Sequence, residues 1–363
     1  MKKPITIILK SLLAVAALLL ITVAAYLLYV VFSYSRIDDK TALDVGGEGR
    51  LSFAETETEY TAVTQNIGFG AYTPQFTFFM DGGKQSRAES AESVLSCVEA
   101  AAETVCSFEP DFAFFQEVDT DSDRSFHIDQ RKLIGARFSG YAKIFAVNYH
   151  SAFLFYPLNQ PHGASNSGMA TYSSVKAVSA ERRSLPVSSG FGKFLDLDRC
   201  YSVTRIPVNN GKELVLYNAH TSAYGGSDEI RSAQMNMLLG DMQSEYEKGN
   251  YCVCGGDFNH DFTGNSTQLL NGGETAGFGW AQPFPEDILK KYGGIRRADE
   301  YDNGEIIPTC RNCDVPYDEN TFTLIVDGFL ISANVEAVSL RNIDTQFAYS
   351  DHNPVVMKFI LKD

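Results

Sequence analysis

Between Ser11 and Phe32 the chain carries no charged residue, reading "SLLAVAALLLITVAAYLLYVVF". A helical run of about 20 apolar residues matches the hydrocarbon thickness of a bilayer. Lys2, Lys3 and Lys10 precede the run, and positive charge stays on the cytoplasmic side of a membrane. The sequence therefore predicts a basic cytoplasmic stub over residues 1–10 and a single transmembrane helix over 11–32. Everything after the helix should lie outside the cell membrane. A cleaved signal peptide is the competing reading. The apolar run is longer than a usual signal core, and no strong small-x-small site closes it, so an uncleaved anchor is expected.

Residues 33–56 are polar, with "DVGGEGR" at their middle, and read as a tether. From residue 57 to 363 the chain alternates strand-like and helix-like runs, without repeat, low-complexity tract or second linker. "YTAVTQNIG", "DFAFFQEV", "KIFAV", "SAFLFY", "NYCVCGGDFN", "TFTLIVDGFLIS" and "NPVVMKFIL" are expected strands. "CYSVTRIPV" and "KELVLYNAHT" bracket "NNGK", whose Asn-Gly predicts a β-hairpin. Helices are expected over "SRAESAESVLSCVEAAAETVCSF" and "SDEIRSAQMNMLLGDMQSEYEKG", the latter from its apolar spacing, Ser-Asp start and Gly stop. The Gly/Ser-rich passage from His162 to Lys193 has no clear periodicity. One α/β domain is the simplest partition.

A net charge of −15 argues against a broad basic surface for nucleic acid. It leaves room for a local positive groove or a metal ion. Seven cysteines leave at least one unpaired within the chain. Cys310-x-x-Cys313 lacks the second pair that a zinc site requires, and a local disulfide there would suit an extracytoplasmic domain. Cys252 and Cys254 alternate on an expected strand and read as core residues.

The chemistry lies where the strands end. Asn66, Glu117, His220, Asp257, Asn259, Asp327, Asp351 and His352 each interrupt or terminate an apolar segment. Any one of them would suit an ordinary turn, but ligand sites collect at strand ends and in the loops beyond. Glu117 and Asp351 can give carboxylate oxygens to a hard divalent cation, which polarises a phosphoryl oxygen and stabilises a leaving oxygen. His352 suits a general base if Asp327 accepts its other N–H. Asp257 can hold the attacking water or shuttle a proton. Asn66, Asn259 and His220 can donate to non-bridging phosphate oxygens. Arg231 and Gln234, in "RSAQ", read equally well as packing residues. Trp280, the only tryptophan, lies in an insertion-like loop and reads as cover for a sheet edge, with a place on a substrate rim as the alternative.

The segments "QNIG", "FFQEV", "NAHTS", "GGDFN", "VDGFLIS" and "YSDHNPV" resemble, in order and spacing, the endonuclease/exonuclease/phosphatase superfamily. That group includes deoxyribonuclease I, abasic-site endonucleases, inositol polyphosphate 5-phosphatases and neutral sphingomyelinases. The resemblance implies a four-layer α/β sandwich of two packed mixed sheets flanked by helices, with a Mg2+- or Mn2+-dependent phosphoesterase site at one rim. It implies Glu117 as principal metal ligand, supported by Asp351 and Asn66. Asp257 and Asn259 would handle nucleophile and phosphate, Asp327 and His352 would form an Asp–His pair, and His220 and Arg199 would contact phosphate. His352 and Asp257 are both candidates for activating water. The chain departs from abasic-site endonucleases at Gly68, where they carry an acid, and from 5-phosphatases at "VDGFL", where they carry a cysteine.

The expected protein is thus a membrane-anchored, outward-facing, metal-dependent hydrolase of phosphate esters. Its substrate would be nucleic acid, a phospholipid, an inositol or sugar phosphate, or a small phosphodiester, and no obligate protein partner is implied. A non-catalytic surface-binding protein on the same fold is the alternative of another class.

Overall fold

The computed structural model describes residues 2–190, 193, 198–223, 227–272, 282–302 and 306–363. Strands are numbered in chain order. One seven-stranded sheet runs β1 (Thr41–Leu43), β7 (Ser179–Ser184), β8 (Cys200–Pro207), β9 (Glu213–His220), β10 (Tyr251–Asp257), β16 (Asp327–Ser332), β13 (Ile295–Arg297). The other runs β17 (Val335–Asn342), β18 (Val355–Leu361), β3 (Glu59–Asn66), β4 (Phe112–Asp119), β6 (Gly163–Ser173), β5 (Ala142–Leu154), β2 (Val45–Gly46). Two short ribbons pair β11 (His260–Asp261) with β12 (Gln282–Pro283), and β14 (Cys310–Arg311) with β15 (Thr323–Leu324). Each large sheet is mixed: β3 and β4 are parallel in one, β9 and β10 in the other, amid antiparallel neighbours.

Strand alternation explains the layering. Phe112 and Phe114 of β4 turn inward with Ala62 of β3, meeting Leu214 and Leu216 of β9, Val253 of β10 and Phe329 of β16 in one buried cluster between the sheets. Their neighbours Val63, Ala113 and Phe115 turn outward onto a helical layer. Strands buried on both faces read as near-continuous apolar runs, which is why "FAFF" lacks alternation. On that outer face lie α2 (Ala91–Cys106) and α3 (Gln130–Arg137). Helix α2 is capped by Ser90, whose side chain accepts from the Ser93 N–H, and buries Val94, Val98, Ala101 and Val105, one stripe at helical spacing. The opposite face is covered by α4 (Asp228–Glu247), capped by Ser227. Its Met235, Leu238, Leu239 and Met242 pack on Val215, Tyr217, Cys252 and Cys254. The result is a mixed α/β sandwich, two large sheets flanked by helices.

The hairpin at "NNGK" forms as expected, with Pro207 opposite Glu213. Three expectations need correcting. Residues 41–46 are not free tether: β1 adds an edge strand to one sheet and β2 to the other, so the chain leaving the apolar helix stitches both sheets. "KIFAV" and "SAFLFY" merge into the single strand β5. "TFTLIVDGFLIS" splits, because β15 pairs with β14 while β16 pairs with β10.

Helix α1 (Lys2–Ser33) begins the chain. From Pro4 to Ser33 it is long and apolar enough to cross a membrane, with a mean hydropathy of 2.6 and none of that window buried against the domain. Near its end Tyr26 and Tyr29 reach the domain at Phe153 and Phe155 of the β5 terminus and the loop after it.

Candidate active site

The two parallel strand pairs end side by side, and their last residues converge. In the ladder, Asp257 at the end of β10 stands beside His220 at the end of β9 and opposite Asp327 at the start of β16. Across the sandwich, Asn66 ends β3, and β4 brings up Glu117 through a register shift between Phe115 and Val118. At Glu117 φ is 54°, a left-handed conformation that non-glycine residues adopt at a cost. The bulge leaves its side chain 27% exposed toward the cavity. Asp351 and His352 arrive in the loop before β18, tied down by Ser350, whose hydroxyl donates to the Asn66 carbonyl (2.9 Å) and accepts the His352 N–H (3.1 Å).

Hydrogen bonds knit these groups together. His352 Nδ1 lies 2.8 Å from Asp327 Oδ2, which leaves Nε2 to face Asp257 Oδ2 at 3.8 Å. His220 Nε2 stands 3.4 Å from the same Asp257 oxygen and 3.9 Å from Glu117 Oε1. The Asn66 amide donates to Asp257 Oδ2 (3.0 Å) and Glu117 Oε1 (3.3 Å), while its own oxygen accepts the Gly68 N–H at 2.9 Å. That last bond fixes the amide orientation. Asn66 therefore supports the acids by holding two carboxylates, with its oxygen turned away. The Asn259 N–H donates to Asp257 Oδ1 (2.9 Å), and its side-chain amide donates to the Thr221 carbonyl.

Gly68, where the acid of abasic-site endonucleases would fall, has φ 51°, and a Cβ there would lie 2.6 Å from Asp351 Oδ1. No side chain fits without displacing the site.

Burial and crowding of like charge set the electrostatics. Asp351 is pushed up to about 7, chiefly by burial and then by Glu117. Asp257 is pushed up to about 6 by burial, with Asp327 adding to it. Both shifts mark a negative region that a cation would relieve. Burial lowers His220 well below the usual imidazole value, helped by Arg199 and His352. For His352, burial is outweighed by Asp327, Cys310, Asp351 and Asp257, so its ring is held well above the usual value.

The donor set fits a hard divalent cation. Asp257, Asp327 and His352 each bring a ligand atom within 4.8 Å of one another, and Asp327 Oδ1 and His220 Nδ1 are buried without a partner in the fold. Glu117 and Asp351 face the same space. Because Asp327 is fully buried and does not line that space, the bulged and partly exposed Glu117 is the more available ligand.

All of these groups except Asn66 and Asp327 line a cavity of about 490 Å³. Arg199, the remaining residue expected to touch phosphate, lines it too. Arg231 and Gln234 do not: Arg231 donates to the Ala223 carbonyl, and Gln234 bridges Pro186 and Ser222, so both brace the loop after β9. Trp280 lies outside the described residues.

The sequence reading missed several wall residues. Arg124, buried against Asp119 and over the Phe69 ring, follows an unremarkable turn. Cys310 is bridged to His352 in the backbone and brings Sγ within 3.6 Å of its Nε2. Cys310 and Cys313 are both free thiols, so the local disulfide is not formed here. Tyr26 of α1, with Phe79, Met80, Phe155 and Tyr156, adds aromatic and apolar side chains to the same lining, Tyr26 against Phe155 and Phe79 against Tyr156 and His162.

A family model described as "Endonuclease/Exonuclease/phosphatase family" matches residues 63–352. No curated protein sequence matches the chain. Among solved structures it is similar to ANGEL2, a 2',3'-cyclic phosphatase, in complex with adenosine-2',3'-vanadate, at 14% identity over 90% of this chain and 100% of that one, with a TM-score of 0.53. It is also similar to a mannosyl-6-phosphatase of Bacteroides thetaiotaomicron VPI-5482 (16% identity, 83% and 99% covered, TM-score 0.51). An endonuclease/exonuclease/phosphatase from Beutenbergia cavernae DSM 12333 is similar at 16% identity, with 84% of this chain and 72% of that one covered and a TM-score of 0.51. At these identities the likeness is one of fold.

Proposed function

Since the chain belongs to the endonuclease/exonuclease/phosphatase family, we propose that it is a membrane-anchored, outward-facing, Mg2+- or Mn2+-dependent hydrolase of phosphate esters. The observation that carries this function is the convergence of Asp257, His220 and His352, the last held by Asp327 behind it, with Glu117 and Asp351 around one cavity. Acid, imidazole and a reachable carboxylate within a few ångströms are what water attack on phosphorus needs.

Glu117 and Asp351 would hold the cation, with Asn66 keeping Glu117 and Asp257 apart at fixed spacing. When bound, the ion supplies a positive charge that polarises the phosphoryl group and steadies the leaving oxygen. His352, oriented through Nδ1 by Asp327 and held toward its protonated form by the acids around it, presents Nε2 toward Asp257, so Asp257 takes the proton from water and His352 steadies that carboxylate or passes a proton on to the leaving oxygen. Asn259 keeps Asp257 in place through its backbone N–H. His220, held neutral, donates or accepts at a phosphate oxygen, and Arg199 offsets the phosphate charge. The anchor is α1, with residues 1–10 as a cytoplasmic stub and the catalytic domain outside.

Hydrolysis of bis(p-nitrophenyl) phosphate by the full-length protein in water enriched in heavy oxygen tests this chemistry. Heavy oxygen in the phosphate product is expected. Its recovery in the nitrophenol would mean attack at carbon and would overturn the proposed roles.

A further inference from the structure

The apolar lining of the cavity is fixed to a particular depth. At about 1.5 Å per residue, Tyr26 lies about 24 Å and Tyr29 about 29 Å along α1 from Lys10. A bilayer core is about 30 Å thick, so with Lys10 at the inner boundary Tyr29 reaches the outer interface, where such side chains favour the headgroup level, and Tyr26 stands about one helical turn inside it. The domain is bonded to the helix at that level. The Tyr26 hydroxyl donates to the Phe153 carbonyl (3.2 Å) and accepts the Phe155 N–H (3.3 Å), and Tyr29 accepts the Phe153 N–H at 3.2 Å. The Tyr26 and Phe155 rings meet edge to face at 5.1 Å. Around this junction Phe155, Tyr156 and Leu158 are 51, 70 and 83% exposed, a concentration of apolar surface that water alone does not favour.

Tyr26, Phe155 and Tyr156 belong to the same cavity wall system as Glu117, Asp257 and His352. A molecule with its phosphorus at those polar groups therefore extends toward residues standing at the membrane surface. Resting on the phosphoesterase function proposed above, we infer that the substrate is the phosphate ester of a lipid, drawn from the leaflet at the outer end of α1. Its headgroup phosphate lies at the acids and histidines, and its apolar chain lies against Tyr26, Phe79, Met80, Phe155 and Tyr156. Water's oxygen bonds to phosphorus and one P–O ester bond breaks. The proton from water passes to the alcohol released, and no co-reactant is consumed. Single-stranded nucleic acid could also stack on aromatic walls, but a net charge of −15 disfavours a polyanion.

The test uses full-length protein in mixed micelles with Mg2+. Dioleoyl phosphatidate, phosphatidylglycerol, phosphatidylinositol phosphate and sphingomyelin are compared with chain-free counterparts (glycerol phosphate, glycerophosphoglycerol, inositol bisphosphate and p-nitrophenyl phosphocholine). At roughly 0.8 kcal/mol per buried methylene, only a few contacts suffice for a preference of about 100-fold in kcat/KM for at least one acylated ester. Phe155→Ser should reduce that preference about tenfold. In vesicles of brominated phosphatidylcholine, Leu158→Trp should be quenched beyond the signal of Trp280 alone. Equal turnover of chain-free esters, faster cleavage of an oligonucleotide, or an unquenched Leu158→Trp would each overturn the lipid inference. Absence of metal-dependent turnover of every ester, bis(p-nitrophenyl) phosphate included, would instead remove the phosphoesterase function on which it stands.

Discussion

The two parallel strand pairs deliver their polar ends to the same place by different means. In the β9–β10 pair the delivery is regular: His220, Asp257 and, from β16, Asp327 occupy consecutive ladder positions. Asp257 is left with 2% of its side chain exposed. In the β3–β4 pair the ladder is broken at Glu117, which stands in a bulge at φ 54° and keeps 27% exposure. A regular ladder suits groups that must hold one geometry while moving a proton. A bulge suits a carboxylate that must reach into the cavity and exchange water for a cation. On the proposed function, the first half is the acid–base half and the second the cation half.

Substitutions should separate the halves. The largest effect is expected from the closed half: His352→Ala and Asp257→Asn should each lower kcat by about 100-fold or more. Added metal should not restore either one. Recovery at high Mg2+ would merge the halves and undo the distinction. Glu117→Gln should act through the cation, raising the Mg2+ concentration for half-maximal activity by about 10- to 100-fold, with much of kcat regained at saturation. Asn66 touches both halves, so Asn66→Ala should change kcat and metal requirement together, each by about tenfold. An effect on only one would assign it to that half.

Much of this site was legible because its residues sit at the ends of apolar runs. Asn66, Glu117, His220, Asp257 and Asp327 all interrupt strongly β-like segments, and side-chain alternation needs no tertiary information. What escaped depends on long-range contact. Strand β6 lies between β4 and β5, yet reads "GASNSGMATYS" because the packing excludes bulk. A Cβ on Gly168 would stand 2.4 Å from the Ala146 carbonyl, and Thr171 is the one β-branched residue among the small and polar ones, too few to announce a strand. The β1 and β2 edges are too short to carry a period. Cys310 was visible only as part of a Cys-x-x-Cys pair, read as half of a metal motif or a local disulfide, and its place beside His352 follows from a backbone bridge across 42 residues of chain. The meeting of Tyr26 with Phe155 joins two segments that each look self-sufficient in sequence.

The smallest effect is expected far from both halves and should leave them untouched. Glu245 on α4 is bound by Arg205 of β8, Lys248 and Asn250. Burial opposes its charge, but these partners prevail and hold it down at about 2, below its ordinary 4.5. A depressed carboxylate stabilises the fold above its unfolded value and loses that contribution as pH falls through the folded one. Glu245→Gln should therefore cost about 1–3 kcal/mol at neutral pH. The difference from the parent should shrink between pH 4.5 and about 2. Urea denaturation at several pH values checks this, and a difference that does not vary with pH would show that the ion pair contributes nothing.

Metal dependence tests the central claim most directly. Full-length protein is stripped with excess chelator, dialysed, and assayed on bis(p-nitrophenyl) phosphate while Mg2+ or Mn2+ is titrated back. Turnover should vanish in the stripped protein and return saturably with either ion, and Glu117→Gln should shift the titration to higher concentration. Undiminished turnover in the stripped protein would contradict the account.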